Sequence, residues 1–173
     1  MRVFRVMESP SRIGVRPCRE ADLPHVLEIE RGSFPYPYSP EVFEELLKED
    51  VIFLVAEDAG GIRGYVAADV APGGRGLIIS VAVHPQYRGR GIGTRLMCEA
   101  LQRLRGRCSR VMLHVAAKNS VGQAFYLRFG FKPMGLIRRY YPDGDDAIVL
   151  ESSVAEALEK VCSRLSDKLS GHP

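Results

Sequence analysis

The chain is short of several residue types, and each shortage removes a class of explanation. It has no tryptophan, one asparagine and three glutamines, and five lysines stand against nineteen arginines. Four cysteines (Cys18, Cys98, Cys108 and Cys162) lie far apart, with no C-x-x-C pair and no histidine at ligand spacing, which argues against a zinc site. Free buried thiols are the expectation. A disulfide stays open if the source is hyperthermophilic, and the scarcity of amides points that way. The arginine bias fits a GC-rich genome equally well. No apolar run reaches the length of a membrane span, and Met1-Arg2-Val3-Phe4-Arg5 has no signal-peptide core. A cytoplasmic protein without a membrane partner is expected. The net charge of +3 is too small to argue for a direct nucleic-acid role.

The chain is otherwise ordinary for a single globular domain: 173 residues, 46% hydrophobic and 26% charged. Its most informative stretch is Gln86-Tyr87-Arg88-Gly89-Arg90-Gly91-Ile92-Gly93-Thr94. Before it runs Leu77-Ile78-Ile79-Ser80-Val81-Ala82-Val83, short and β-branched, which reads as a buried strand. After it, apolar residues at 92, 96, 97, 100, 101 and 104 have the spacing of one helix face. A glycine-rich turn from strand to helix gathers unpaired N–H groups at the positive end of the helix dipole, and glycines let phosphate oxygens come close. The turn reads as a pyrophosphate cradle, with Arg88, Arg90 and Arg95 adding charge. It is neither a dinucleotide fingerprint, which needs G-x-G-x-x-G after the first strand, nor a P-loop, which needs Gly-Lys-Ser/Thr.

In chain order, residues 1–11 lack periodicity and are expected to be a flexible tail. Residues 12–152 form the domain, and 153–173 an appended C-terminal helix. Ile13–Arg16 is a candidate first strand. Asp22 is the expected N-cap of a helix carrying Leu23, Val26, Leu27, Ile29 and Glu30. Ser39 and Pro40 open a second helix bearing Val42, Phe43, Leu46 and Leu47. Ile52–Ala56 and Ile62–Val70 read as a hairpin. Beyond the cradle helix, Arg110–Ala116 is a strand, and Asn119-Ser120 opens a helix stopped by Gly130. Phe131–Tyr141 and Ala147–Leu150 form a last pair, and a helix is expected from Val154 to Leu169. The order β-α-α-β-β-β-α-β-α-β-β is α/β (α+β): a mixed, mostly antiparallel sheet flanked by helices.

Three segments together resemble the GNAT acyltransferase superfamily. The cradle is similar to its Gln/Arg-x-x-Gly-x-Gly motif. Leu113-His114-Val115-Ala116-Ala117-Lys118-Asn119-Ser120, followed by Phe125-Tyr126-Leu127-Arg128-Phe129-Gly130-Phe131, resembles its second signature. Tyr140-Tyr141-Pro142-Asp143-Gly144-Asp145-Asp146-Ala147 is similar to the Y-Y-x-x-G-x-D-A segment of protein Nα-acetyltransferases of the ribosomal-protein-alanine and archaeal types. The resemblance implies acetyl-CoA as co-substrate, bound by Arg88, Gly89, Arg90, Gly91, Ile92, Gly93 and Thr94 at the cradle. Backbone groups of Val81, Ala82 and Val83 would meet the acetyl and pantetheine portions at a splay in the sheet. It also implies that His114 deprotonates the amine and that Tyr126 holds the coenzyme sulfur and returns a proton to the thiolate. Phe34, Pro35 and Tyr36, with Tyr140 and Tyr141, would wall a groove for protein or peptide N-termini. Ribosome association stays open. The first loop lacks a Leu-Pro-Glu pattern, so the small-residue preference of one Nα class is not carried over.

The chemistry agrees with these residue types. An α-amine titrates at about 8 and histidine near 6.5, so a modest base suffices. Strand alternation places Met112 and His114 on one face, and a core-facing His114 would instead bond a carbonyl. Tyr126 is either an acid or simply an aromatic packing with Phe125 and Phe129. Asn119 suits an N-cap as well as a coenzyme contact. Transfer to Lys side chains or a small amine, and a silent acyl-CoA-binding module, are the competing readings.

Overall fold

The computed structural model describes residues 12–165. Seven strands, β1 (Gly14–Pro17), β2 (Ile52–Asp58), β3 (Gly61–Ala71), β4 (Arg75–Val83), β5 (Arg110–Ala116), β6 (Lys132–Ile137) and β7 (Ala147–Ser153), make one sheet in the order β1-β2-β3-β4-β5-β7-β6. All neighbours are antiparallel except β4 and β5, which run parallel because α3 (Ile92–Leu104) carries the chain back between them. The remaining helices are α1 (Leu23–Ser33), α2 (Pro40–Lys48), α4 (Ser120–Arg128) and α5 (Val154–Ala157). This is the element order expected from the sequence, with α5 appended.

Two apolar layers cover the two faces of the sheet. On one, α3 buries Ile92, Leu96, Met97, Ala100, Leu101 and Leu104, the stripe its 3.6-residue spacing marks out, against Leu54, Val66, Val111 and Leu113. On the other, α1 and α2 bring Val26, Ile29 and Phe43 onto Phe53, Val55 and Tyr65. Each large apolar side chain fully removed from water contributes roughly 1.5–3 kcal/mol, so these layers fix which way the strands face. In β5, Val111, Leu113 and Val115 go into the first layer, while Met112, His114 and Ala116 take the other face. His114 therefore does not face the α3 core.

Several local expectations need correction. Asp22 does not cap α1 with its side chain: a 3-10 turn (Glu20–Asp22) leads into that helix. Its carboxylate instead takes both Arg16 Nη groups, at 2.7 and 2.9 Å, and the Arg19 N–H. An arginine fork outcompetes a lone backbone donor. Ser39 precedes α2 with Pro40 at the first position, but its side chain makes no cap bond. The strand expected to reach Tyr141 ends at Ile137, because Arg139 turns the chain with φ of 51° and donates its N–H to Asp146 Oδ1. The thiols are not all free: Cys98 on α3 is bonded to Cys162, across a sequence separation of 64. Cys18 and Cys108 remain reduced. After α5 the chain widens into a π-helical turn (Leu158–Cys162), so the C-terminal helix is not regular throughout. The tail at 1–11 and the expected helix end at 166–169 lie outside the described residues.

Candidate active site

The parallel pair β4–β5 is joined only at Gly76/Val111 and Leu77/Met112; beyond those residues the strands part. A bulge helps to turn β4 there. Ser80 faces Ala67 and Ile78 faces Ala68 across the β3–β4 ladder, which leaves Ile79 as the extra residue. One edge of β4 from Val81 to Val83 is thus free of strand partners. Arg88 Nε donates to the Val83 carbonyl at 3.0 Å, so the polar groups of residue 83 face the gap. Alternation puts the N–H of Val81 on the same side.

At the end of the gap sits the glycine turn. Gly89 and Gly91 have φ of 74° and 80°, the left-handed region that a side chain strains to occupy, and Gly91 holds the N-cap position of α3. Gly93 packs closely, since a Cβ there would stand 3.5 Å from both Phe125 and Val83. Tyr87 steadies the turn: the guanidinium of Arg63 lies 4.0 Å from its ring centroid and that of Arg90 lies 5.1 Å away. Arg88 also reaches Ser33 Oγ at 2.9 Å and ties the end of α1 to the turn. The arginines at 88 and 90 therefore shape the cradle as well as charging it.

The gap and the turn open into one cleft of about 780 Å³. Its walls include Val81, Ala82, Val83, Arg88, Gly89 and Gly91 on one side. Ile92, Gly93 and Thr94 close the α3 end, with Asn119 and Tyr126 from α4 and its cap opposite. Of the residues expected at the cradle, Arg90 and Arg95 do not line the cleft, and the Arg90 guanidinium lies over Tyr87. Asn119 is the N-cap of α4, its Oδ1 accepting the Gly122 N–H at 2.9 Å, and it lines the cleft as well. Burial, with a smaller contribution from Tyr141, raises the Tyr126 hydroxyl above its ordinary pKa, so it keeps its proton at neutral pH.

His114 stands on the neighbouring strand rather than in the cleft wall. It is half-buried, its ring 5.4 Å from that of Tyr140, and burial lowers its pKa below 6.5. The imidazole is thus neutral across the physiological range. Tyr140 and Tyr141 pack edge to face at 5.0 Å, and Tyr38 of the α1–α2 loop packs on Phe43. Burial raises the pKa of Tyr38 and of Tyr141, and the three tyrosines are near enough for their electrostatics to add to both shifts. Phe34 enters the cleft, while Pro35 and Tyr36 stand outside it, exposed.

Sequence reading missed what anchors that loop. Glu30, 1% exposed, accepts the Tyr38 N–H at 2.8 Å and the Tyr65 hydroxyl, and Tyr65 pairs with Ser80 Oγ at 2.8 Å. Desolvation raises the Glu30 pKa. The one signal was a glutamate on the apolar stripe of α1. Arg128 was also missed as a wall of the cleft; it donates to Thr94 Oγ1 at 3.1 Å.

A phosphate cradle that leads into a split sheet defines a coenzyme-dependent acyl transferase. The model of the Acetyltransferase (GNAT) family matches residues 23–131. A putative [ribosomal protein bS18]-alanine N-acetyltransferase of Bacillus subtilis is 32% identical over 154 residues, covering 84% of this chain and 99% of its own. An N-alpha-acetyltransferase of Sulfurisphaera tokodaii is 32% identical over 150 residues, covering 79% and 90%. The crystal structure of the NatC complex bound to Gag peptide and CoA is similar at 26% identity and a TM-score of 0.74, over 82% of this chain and 98% of that one. The chain belongs to the GNAT acetyltransferase family. It is an N-acetyltransferase whose co-substrate is acetyl-CoA. The cleft fits that molecule: left-handed glycines and the α3 N-terminus suit a pyrophosphate, and the bare β4 edge suits the amides of a pantetheine arm.

Proposed function

We propose that the enzyme acetylates the α-amino groups of protein N-termini by direct transfer within a ternary complex. The observation that carries this reading is the tyrosine-walled entrance: a half-buried, neutral His114 at the parted strands stands 5.4 Å from Tyr140, which packs on Tyr141. Rigid aromatics with hydroxyl tips suit a peptide backbone. The relatives from Bacillus and Sulfurisphaera, named for acetylation of a ribosomal-protein alanine and of α-amines, support the same acceptor.

In this reading His114 takes the proton of the incoming ammonium group, directly or through water. The freed amine attacks the thioester carbonyl while the Val81 N–H accommodates charge developing on the carbonyl oxygen. The C–N bond forms and the C–S bond breaks, Tyr126 gives its proton to the departing thiolate, and the second proton shed by the nitrogen restores the Tyr126 hydroxyl, directly or through water. Transfer needs no acyl-enzyme. Cys98 and Cys162 are bonded to each other, and neither Cys18 nor Cys108 lines the cleft. An α-amine at about 8 loses its proton far more readily than a lysine at about 10.4, which matches an unassisted imidazole. Among the described residues no helix is long and apolar enough to cross a membrane. We assign the enzyme to the cytoplasm, where newly made chains, ribosomal proteins included, present their N-termini.

Mass spectrometry of a peptide with a free α-amine and an internal lysine tests the acceptor. Fragment ions should carry the acetyl group on the first residue, and blocking that amine should abolish turnover. Acetyl on the lysine, or turnover that survives the block, would reassign the enzyme to side chains.

A further inference from the structure

Beside the cleft lies a second cavity, of about 580 Å³, that shares Gly91, Thr94 and Arg128 with it. Its far wall comes from the appended C-terminal segment, which contributes Lys160 and Arg164. Leu158 and Cys162, four residues apart, are buried on the core side of that segment. Lys160 and Arg164, also four apart, stand on the side that meets the start of α3. The disulfide from Cys162 to Cys98 pins the segment to α3 midway between the two cations. The Lys160 stem runs over Gly130, where a Cβ would stand only 3.0 Å from its Cδ. Its ammonium also meets Glu156 at 3.1 Å, with both groups near half exposure.

Three cations thus converge next to the pyrophosphate cradle, and among the described residues the carboxylate of Glu156 pairs with one of them. Coenzyme A carries, besides its pyrophosphate, a phosphomonoester on the 3′-oxygen of the ribose, with a charge near −2 at neutral pH. A ligand anchored by its pyrophosphate at Gly89–Gly93 must place that second phosphate one ribose away, at the mouth of the cleft. We infer that Lys160 and Arg164 of the C-terminal segment, with Arg128 of α4, form the subsite for the 3′-phosphate of the coenzyme. The inference rests on acetyl-CoA occupying the cleft described above. The appended segment is then part of the coenzyme site, and the disulfide sets the distance between its cations and the cradle. Arginine and lysine share the task by geometry: the Arg128 fork is held by Thr94, and Lys160 offers three rotatable donors.

Calorimetric titration with CoA and with 3′-dephospho-CoA tests this without recourse to turnover. The wild-type protein should bind CoA about tenfold or more tightly than the dephospho form, a preference that shrinks as salt rises. The double variant K160Q/R164Q should lose most of that preference, keeping only the part that Arg128 carries. Its melting temperature serves as the check that it folds. Equal affinities in the wild type would overturn the proposal, as would a preference undiminished in K160Q/R164Q. Absence of binding by both compounds would instead overturn the coenzyme cleft itself.

Discussion

Tyr126 separates binding from chemistry most cleanly at the scale of a single residue. It lies on the cleft wall, and its raised pKa makes it a proton donor rather than a phenolate at neutral pH. Y126F keeps the ring and its contacts with Phe125 and Phe131 and removes only the hydroxyl. We expect kcat to fall by about 10²-fold, the lower end for loss of a positioned acid, with the KM for acetyl-CoA changed little. Equal losses in binding and kcat in steady-state kinetics would return Tyr126 to a packing role. The residue types of the site were legible in the sequence because each stands in a short motif: the glycines of the cradle, the histidine on its strand, the tyrosine on its helix. The direction of the Arg90 side chain was not legible, because its place over Tyr87 depends on how the turn folds back on itself. The pairing of Cys98 with Cys162 was left open for the same reason, since spacing alone carries no sign of which thiols meet.

At the scale of elements, Glu30, Tyr65 and Ser80 tie the α1–α2 loop, proposed to wall the peptide groove, to β4. E30A would leave the Tyr38 N–H without its acceptor, while Tyr65 keeps Ser80. An unpaired buried donor costs about 1–3 kcal/mol. Chemical denaturation should show a loss of that size, and the KM for peptide should rise several-fold while that for acetyl-CoA holds. A variant as stable as the wild type, with an unchanged peptide KM, would contradict the tie between loop and sheet. Helix and strand periodicities gave the element order because each is set within a few residues. The parting of β4 from β5 was not legible, since it follows from a bulge at Ile79 and from pairing between segments more than 30 residues apart. Resemblance to a family supplied that expectation; spacing could not. The Tyr141 end of β6 was missed because Asp146, across the turn, captures the Arg139 N–H.

For the whole molecule, the disulfide joins α3 to the C-terminal segment across a sequence separation of 64. Closing a loop of that length in the unfolded chain is worth about 4 kcal/mol in the entropic account. Reduction should therefore lower the melting temperature by roughly 10 °C for a chain of this size, whereas C18S should leave it unchanged. Identical melting with and without reductant would remove the bridge from the account. Disulfides persist inside hyperthermophiles, and the single asparagine is consistent with such a source, as the arginine bias is with a GC-rich genome.

In the proposed reaction a neutral His114 at the parted strands relieves the α-amine of its proton. The direct measurement is the pH dependence of kcat/KM for a peptide with a free α-amine, in the wild type and in H114Q. Burial lowers the His114 pKa, so the imidazole stays a base at pH values where a free histidine would be charged. Activity is lost only as pH falls through that lowered value. The wild-type acid limb should break below pH 6.5. In H114Q the break should move up to about 8, the amine's own value, with a lower rate throughout. An acid limb that breaks at the same pH in both proteins would contradict that role for His114.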